Sequence, residues 1–98
     1  MRVYISGAIT GVDDYMERFA EAERCLTKLG YSVFNPAKIN AQLPHDLTYE
    51  EHMWIDLGCL KMCGSIYMLR GWRKSLGANR EYGYALAKGY EIIDEETA

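Results

Sequence analysis

Ser65-Ile66-Tyr67-Met68-Leu69-Arg70-Gly71-Trp72-Arg73-Lys74-Ser75-Leu76-Gly77-Ala78 is the stretch that decides the fold. Its first five residues form an apolar run too short for a helix, and they read as a strand. Arg70 to Lys74 break the run as a loop around Gly71, and Ser75 or Gly77 then caps a helix that ends near Gly89. Tyr90-Glu91-Ile92-Ile93 follows as another strand. Strand, loop, helix and strand make the crossover unit of a parallel sheet, because parallel neighbours cannot be joined by a tight turn.

The same alternation extends toward the N-terminus. Val3-Tyr4-Ile5 is β-branched and aromatic, with Gly7 and Gly11 close behind, as in a central strand that opens into a loop. Tyr15, Phe19, Ala22, Leu26 and Leu29 recur at helical spacing, charged residues fill the opposite face, and Gly30 supplies the stop. Tyr31 to Phe34 read as a strand ended by Asn35-Pro36. Residues 37–47 are expected to be irregular, the longest connection in the chain. Thr48 with Glu51 forms a capping box, which starts a helix over about Tyr49 to Met62. The order β-α-β-α-β-α-β predicts a flavodoxin-like or Rossmann-like three-layer α/β fold: four parallel strands in the order 2-1-3-4, with helices on both faces. Ligands of such folds bind beyond the carboxyl ends of the strands, which points to the loops after Ile5 and Leu69.

Ninety-eight residues, 49% hydrophobic and 26% charged, are enough for one modest core and exclude a multidomain enzyme. The expected organisation is a single domain over 1–93, with an acidic, solvated tail over 94–98. A net charge of −3 argues against a surface made for a nucleic-acid polymer and favours a small-molecule or protein ligand, so any anion site must be local. The three cysteines are an odd number without a secretory signal, which fits a reducing cytoplasm. The apolar run Val3 to Ile9 is far shorter than the roughly 20 residues a membrane helix needs, so no membrane partner is expected.

Three local anomalies bear on chemistry. From Leu57 through Arg80 there is no acidic residue, while Lys61, Arg70, Arg73, Lys74 and Arg80 all lie there. The segment is either a solvated basic face or an anion site beside a helix N-terminus. Asp56 falls mid-helix on a mostly apolar stripe with His52, Met53, Cys59, Leu60 and Cys63. A carboxylate there is either paired by a structural donor or held for chemistry. Glu81 lies in a helix of small residues, Gly77, Ala78, Gly83, Ala85 and Ala87. It points toward the strand ends if Ala78 and Ala85 face inward; otherwise it is a solvated partner of Lys88 or Arg80. Two carboxylates beside a basic, glycine-containing loop suit glycosyl transfer, in which one attacks an anomeric carbon and the other protonates the leaving group.

Other features are read as structural. Cys59 and Cys63 could share a metal with His52 or His45, but the spacing fits small buried hydrophobes better, and no metal is expected. Gly7-x-x-x-Gly11 is followed by no Gly-Lys-Ser/Thr, so a nucleoside triphosphatase is unsupported, and no organic cofactor is expected. Among the aromatic residues, Trp72 is the best candidate to stack on a nucleobase.

Val3-Tyr4-Ile5-Ser6-Gly7 with Gly11, Asn35-Pro36-Ala37, Asp46 to Glu51, Asp56-Leu57, and Ile66 to Leu69 with Gly71-Trp72-x-x-Ser75-x-Gly77-Ala78-x-x-Glu81 together resemble the DUF4406 family. That is a family of small, often phage- or prophage-encoded proteins grouped with the nucleoside 2-deoxyribosyltransferase-like fold. The resemblance spans nearly the whole chain. It implies Glu81 as a nucleophile on C1′ of a deoxyribose, Asp56 as the assisting acid, and Tyr4 as the residue that fixes one Glu81 oxygen and leaves the other free. Ser75, six residues before Glu81, is similar to the serine of deoxynucleoside 5′-monophosphate hydrolases rather than the acidic residue of the transferases. The loop after the first strand lacks the arginine of those hydrolases, so phosphate recognition falls to Gly7, Thr10, Arg73, Ser75 and Gly77, with Trp72 against the base. The resemblance further implies a homo-oligomer. The competing expectation is a module that keeps the nucleotide pocket and binds without catalysis.

Overall fold

The computed structural model describes residues 1–97 of the chain. Its elements are β1 (Arg2–Ser6), α1 (Tyr15–Lys28), β2 (Ser32–Phe34), α2 (Pro36–Asn40), α3 (Tyr49–Lys61), β3 (Ser65–Met68), α4 (Leu76–Lys88) and β4 (Glu91–Asp94), with a 3₁₀ turn at Trp72–Lys74. All strand pairs are parallel, and the four-stranded sheet runs β2-β1-β3-β4, as the crossover argument predicts. The order reverses direction between β1 and β3, whose registers pair Tyr4 with Ile66 and Ser6 with Met68. The crevice of a doubly wound sheet opens at that point.

Side chains of a strand alternate between faces, and β1 uses both. Val3 and Ile5 pack with Phe19, Ala22 and Leu26 of α1, together with Ala37 and Leu69. Tyr4 belongs to the opposite layer, with Leu60 of α3, Ile66 and Met68 of β3, and Ala78 and Ala85 of α4. The same alternation sends Ser6 to the Tyr4 side. All four β1 residues from Val3 to Ser6 are buried completely, so this strand is the rigid spine of the molecule.

Most boundaries follow from local chemistry. Thr48 and Glu51 complete their capping box reciprocally at the start of α3. Ser75, not Gly77, caps α4 by accepting from Ala78 N at 3.1 Å, and Gly89 closes that helix in the left-handed region at φ 73°. Three details depart from the sequence reading. Residues 37–47 are not wholly irregular, because Asn35 caps Lys38 N and Pro36 opens the one-turn helix α2. Leu29 lies just past the end of α1 and is 75% exposed. The acidic segment is no free tail: Asp94 ends β4, and Glu95 and Glu96 accept hydrogen bonds from the backbone N–H groups of Arg70 and Gly71 at 2.7 and 3.3 Å. Ala98 lies outside the described residues. No described helix is long and apolar enough to cross a membrane.

Candidate active site

Two hydroxyls from one face of β1 converge on Glu81. Tyr4 donates to Glu81 Oε2 at 2.6 Å and Ser6 Oγ donates to Oε1 at 2.6 Å. Glu81 can reach them because Ala78 and Ala85, one turn to either side, are buried with almost no exposure and bring α4 close to the sheet. The solvated alternative is therefore excluded: Glu81 is itself buried, and Arg80 pairs with Glu50 of α3 instead. Burial raises the Glu81 carboxyl to about 7, against the pull of the two hydroxyl donors, and the nearby Asp56 adds to the rise. Burial first, then Glu81 and Asp56, hold the Tyr4 hydroxyl well above the usual phenol range, so it stays a donor.

Asp56 reaches the same region from α3. Its Oδ1 accepts from Asn40 Nδ2 at 2.7 Å. Asn40 Oδ1 in turn takes a short hydrogen bond from His52 Nδ1. Burial pushes the Asp56 carboxyl up, while the Asn40 bond and the His52 ring draw it back. The two carboxylates thus share an environment that disfavours charge on both.

A cleft of about 1080 Å³ joins these parts, a volume suited to a small organic ligand. Tyr4, Asp56 and Glu81 line it, as do Gly7, Thr10, Ser75 and Gly77. Gly7 must lack a side chain, since a Cβ there would lie 2.8 Å from Leu69 Cδ1. Gly77 lets α4 approach α3, with Tyr49 Oη at 3.3 Å from the position a Cβ would take. At the N-terminus of α4, Ser75 uses its oxygen for the cap and keeps its hydroxyl hydrogen, and Ser75, Leu76 and Gly77 face the cleft beside Arg70 and Lys74. That corner combines a helix dipole, a hydroxyl and two cations, a combination that binds anions.

Two residues expected here are placed elsewhere. Gly71, at φ 81°, turns the chain so that the Trp72 indole enters the core, where it is 5% exposed and stacks on Tyr82 at 4.6 Å. Arg73 covers the outer side of that indole at 4.7 Å and pairs with Asp94 and Glu96. Neither lines the cleft. The acidic residues of β4 and beyond claim Arg73, an attraction hidden while that segment is read as solvated. The basic segment is accordingly divided: Arg70 and Lys74 border the cleft, whereas Arg73 and Arg80 are neutralised within the chain.

Three participants were not singled out in the sequence. Ser6 occupies the Glu81 oxygen that the sequence reading left free; strand alternation from Tyr4 is the signal that would have found it. Asn40 lies in the connection read as irregular. Arg18, on the cleft wall, donates to Arg70 O at 2.6 Å and buttresses the loop after β3. Among the described residues, no group of three or more His, Cys, Asp or Glu side chains gathers into a metal site.

Comparison with known proteins gives a match to a family model and a match to a solved structure. Residues 1–94 match a family model described as "Domain of unknown function (DUF4406)". No curated protein matches the chain. Among solved structures, a 2-deoxyribosyltransferase from the psychrotolerant bacterium Bacillus psychrosaccharolyticus superposes with a TM-score of 0.78 at 17% sequence identity, over 96% of this chain and 71% of that one. At that identity the likeness is one of fold.

Proposed function

The chain belongs to the DUF4406 family, and from its cleft we propose that it cleaves the N-glycosidic bond of a deoxynucleoside or deoxynucleoside 5′-monophosphate, by hydrolysis or by transfer. The observation that carries this reading is the pairing of Glu81, gripped by two buried hydroxyls, with Asp56 on the wall of one cleft. Retaining glycosyl transfer needs two carboxyl groups about 5 Å apart, one ionised and one protonated.

In the first step a Glu81 oxygen bonds to C1′ as the C1′–N bond breaks. The bond's electron pair leaves with the base, and Asp56 supplies the proton that neutralises it. Tyr4 and Ser6 each occupy one lone pair on a different Glu81 oxygen, so either oxygen keeps a pair for attack. The donors fix the carboxylate plane and favour its ionised form against the burial that opposes it. In the second step Asp56 accepts a proton from water, or from a second base, which displaces the ester at C1′ and regenerates Glu81. Gly7, Thr10, Ser75 and Gly77, with Arg70 and Lys74, would hold the sugar and a 5′-phosphate. Trp72 and Arg73 have no part in this reading. A homo-oligomer is part of it, supported by exposed Trp54 and Leu76 at 76% and 69% on the helices flanking the cleft, and sedimentation velocity tests it.

The test is incubation with a panel of deoxynucleosides and their 5′-monophosphates, with release of free base followed chromatographically. Turnover that disappears in Glu81→Ala, with a sugar adduct on the Glu81 peptide of the native protein, supports the reading. Ligand binding without base release would make the cleft a nucleotide-binding module.

A further inference from the structure

Asn40, the last residue of α2, commits its whole amide. Nδ2 donates to Pro36 O at 2.6 Å and to Asp56 Oδ1 at 2.7 Å, and Oδ1 accepts from His52 Nδ1. Because a backbone carbonyl can only accept, the Asn40 nitrogen is fixed on the side of Pro36 and Asp56, and its oxygen on the side of His52. The imidazole must then carry a hydrogen on Nδ1. The backbone of α2, through Pro36, thus sets the orientation of an amide that joins two side chains one turn apart on α3.

We propose that Asn40 is a positioning residue that links His52 to Asp56 and, by occupying Oδ1, makes Oδ2 the atom from which Asp56 delivers its proton. The inference rests on the glycosidic-cleavage reading above and names a residue that reading does not use. In a carboxylic acid the carbonyl oxygen is the better acceptor and the other oxygen bears the hydrogen. An N–H pinned on Oδ1 therefore selects the acid form protonated on Oδ2, which takes no hydrogen bond from a described residue and belongs to a side chain that lines the cleft. When Asp56 accepts the proton back, the same N–H steadies the carboxylate.

The titratable groups around Asp56 are Tyr4 of β1, Glu81 of α4, and His52 and Cys59 of α3. From α2 the neighbour is the uncharged Asn40 amide. His52 thus has two routes to Asp56, its own positive charge and the hydrogen bond through Asn40. A carboxyl-detected ¹³C NMR titration of Asp56 separates them in the native protein and in Asn40→Ala, His52→Ala and the double variant, with thermal unfolding as a check on the fold. Loss of the Asn40 donor raises the Asp56 midpoint by about one pH unit, a tenfold change in proton affinity. His52→Ala raises it less, and in the Asn40→Ala background the same substitution raises it only by the smaller share that the ring's charge carries. His52→Gln gives back the hydrogen-bond share of the His52→Ala shift, because its amide N–H replaces the imidazole donor; this pair keeps the test usable if Asn40→Ala does not fold. An unmoved midpoint in Asn40→Ala, or a His52→Ala shift of equal size with and without Asn40, overturns the proposal. None of these readouts requires turnover. If the couplings hold while no base is released from any substrate, the glycosidic reading fails and the link stands; base release without the couplings gives the reverse result.

Discussion

The two carboxylates of the cleft are held in different ways. Glu81 is gripped from β1, a fully buried central strand, by two side chains that alternation alone places on one face. Asp56 is held from α2, a five-residue helix in a half-exposed connection, through one amide. A group that must attack one fixed atom gains from a rigid mount. A group that gives up a proton and takes it back gains from partners that tolerate both states. On the proposed reading, the contrast teaches that the sheet fixes the position of the nucleophile, Glu81, and the connection tunes the acid, Asp56.

The largest expected effect removes one member of each side. Glu81→Ala lowers kcat/KM by about 10³-fold or more, the scale at which a nucleophile is lost. Asp56→Asn lowers it by about 10²-fold, as for a general acid, and least for substrates whose base departs easily. Equal losses for all bases in Asp56→Asn would break the division of roles, and steady-state kinetics over a panel of bases measures it.

Stability separates the two next. Glu81 titrates near 7 in the folded chain and near 4.5 unfolded, so between those values the folded state binds more protons and stability falls as pH rises. The penalty is absent below about pH 4.5 and complete above pH 7, where 1.36 kcal/mol per pK unit gives about 3 kcal/mol. Glu81→Gln should therefore be more stable than the native chain in urea at pH 8 by up to about 3 kcal/mol, and no more stable at pH 4.5. A constant difference at both pH values would show that the carboxylate is not charged in a dry site.

Tyr4→Phe and Ser6→Ala sharpen the comparison further. Each removes a donor to the ionised form, an interaction of about 1.5–3 kcal/mol, and each raises the Glu81 midpoint. On the proposed reading, activity is expected to rise with pH through about 7 in the native chain, where Glu81 ionises, and at higher pH in both variants. The smallest effect belongs to the other side. Asn35→Ala removes the cap of α2, lowers stability by about 1 kcal/mol, and shifts the Asp56 midpoint while leaving that of Glu81 in place. Thermal unfolding and the same NMR titration check it.

The fold was legible because strand and helix periods are written in residues that nothing else competes for. Val3-Tyr4-Ile5, the 4-3-4 spacing of Tyr15, Phe19, Ala22 and Leu26 in α1 and the Thr48–Glu51 box each dictate one local structure. Asp56 and Glu81 were legible for the opposite reason, as charged residues on faces that must be buried. What stayed hidden depends on contacts distant in sequence. Trp72 looked like a ligand platform because the sequence does not reveal that Gly71 turns it onto Tyr82. Arg73 looked available because its acidic partners lie more than twenty residues away. Asn40 was invisible because an asparagine in an irregular stretch ordinarily marks a turn.

Every strand of the sheet runs in one direction, and the cleft sits at the end to which they all point. Met1 consequently emerges at the far rim, while Glu95 and Glu96 press against the backbone of the cleft-side loop. A fluorophore, resin or fusion attached through residue 1 therefore leaves the mouth unobstructed. The same cargo attached at Glu95 or Glu96 crowds the loop that borders it.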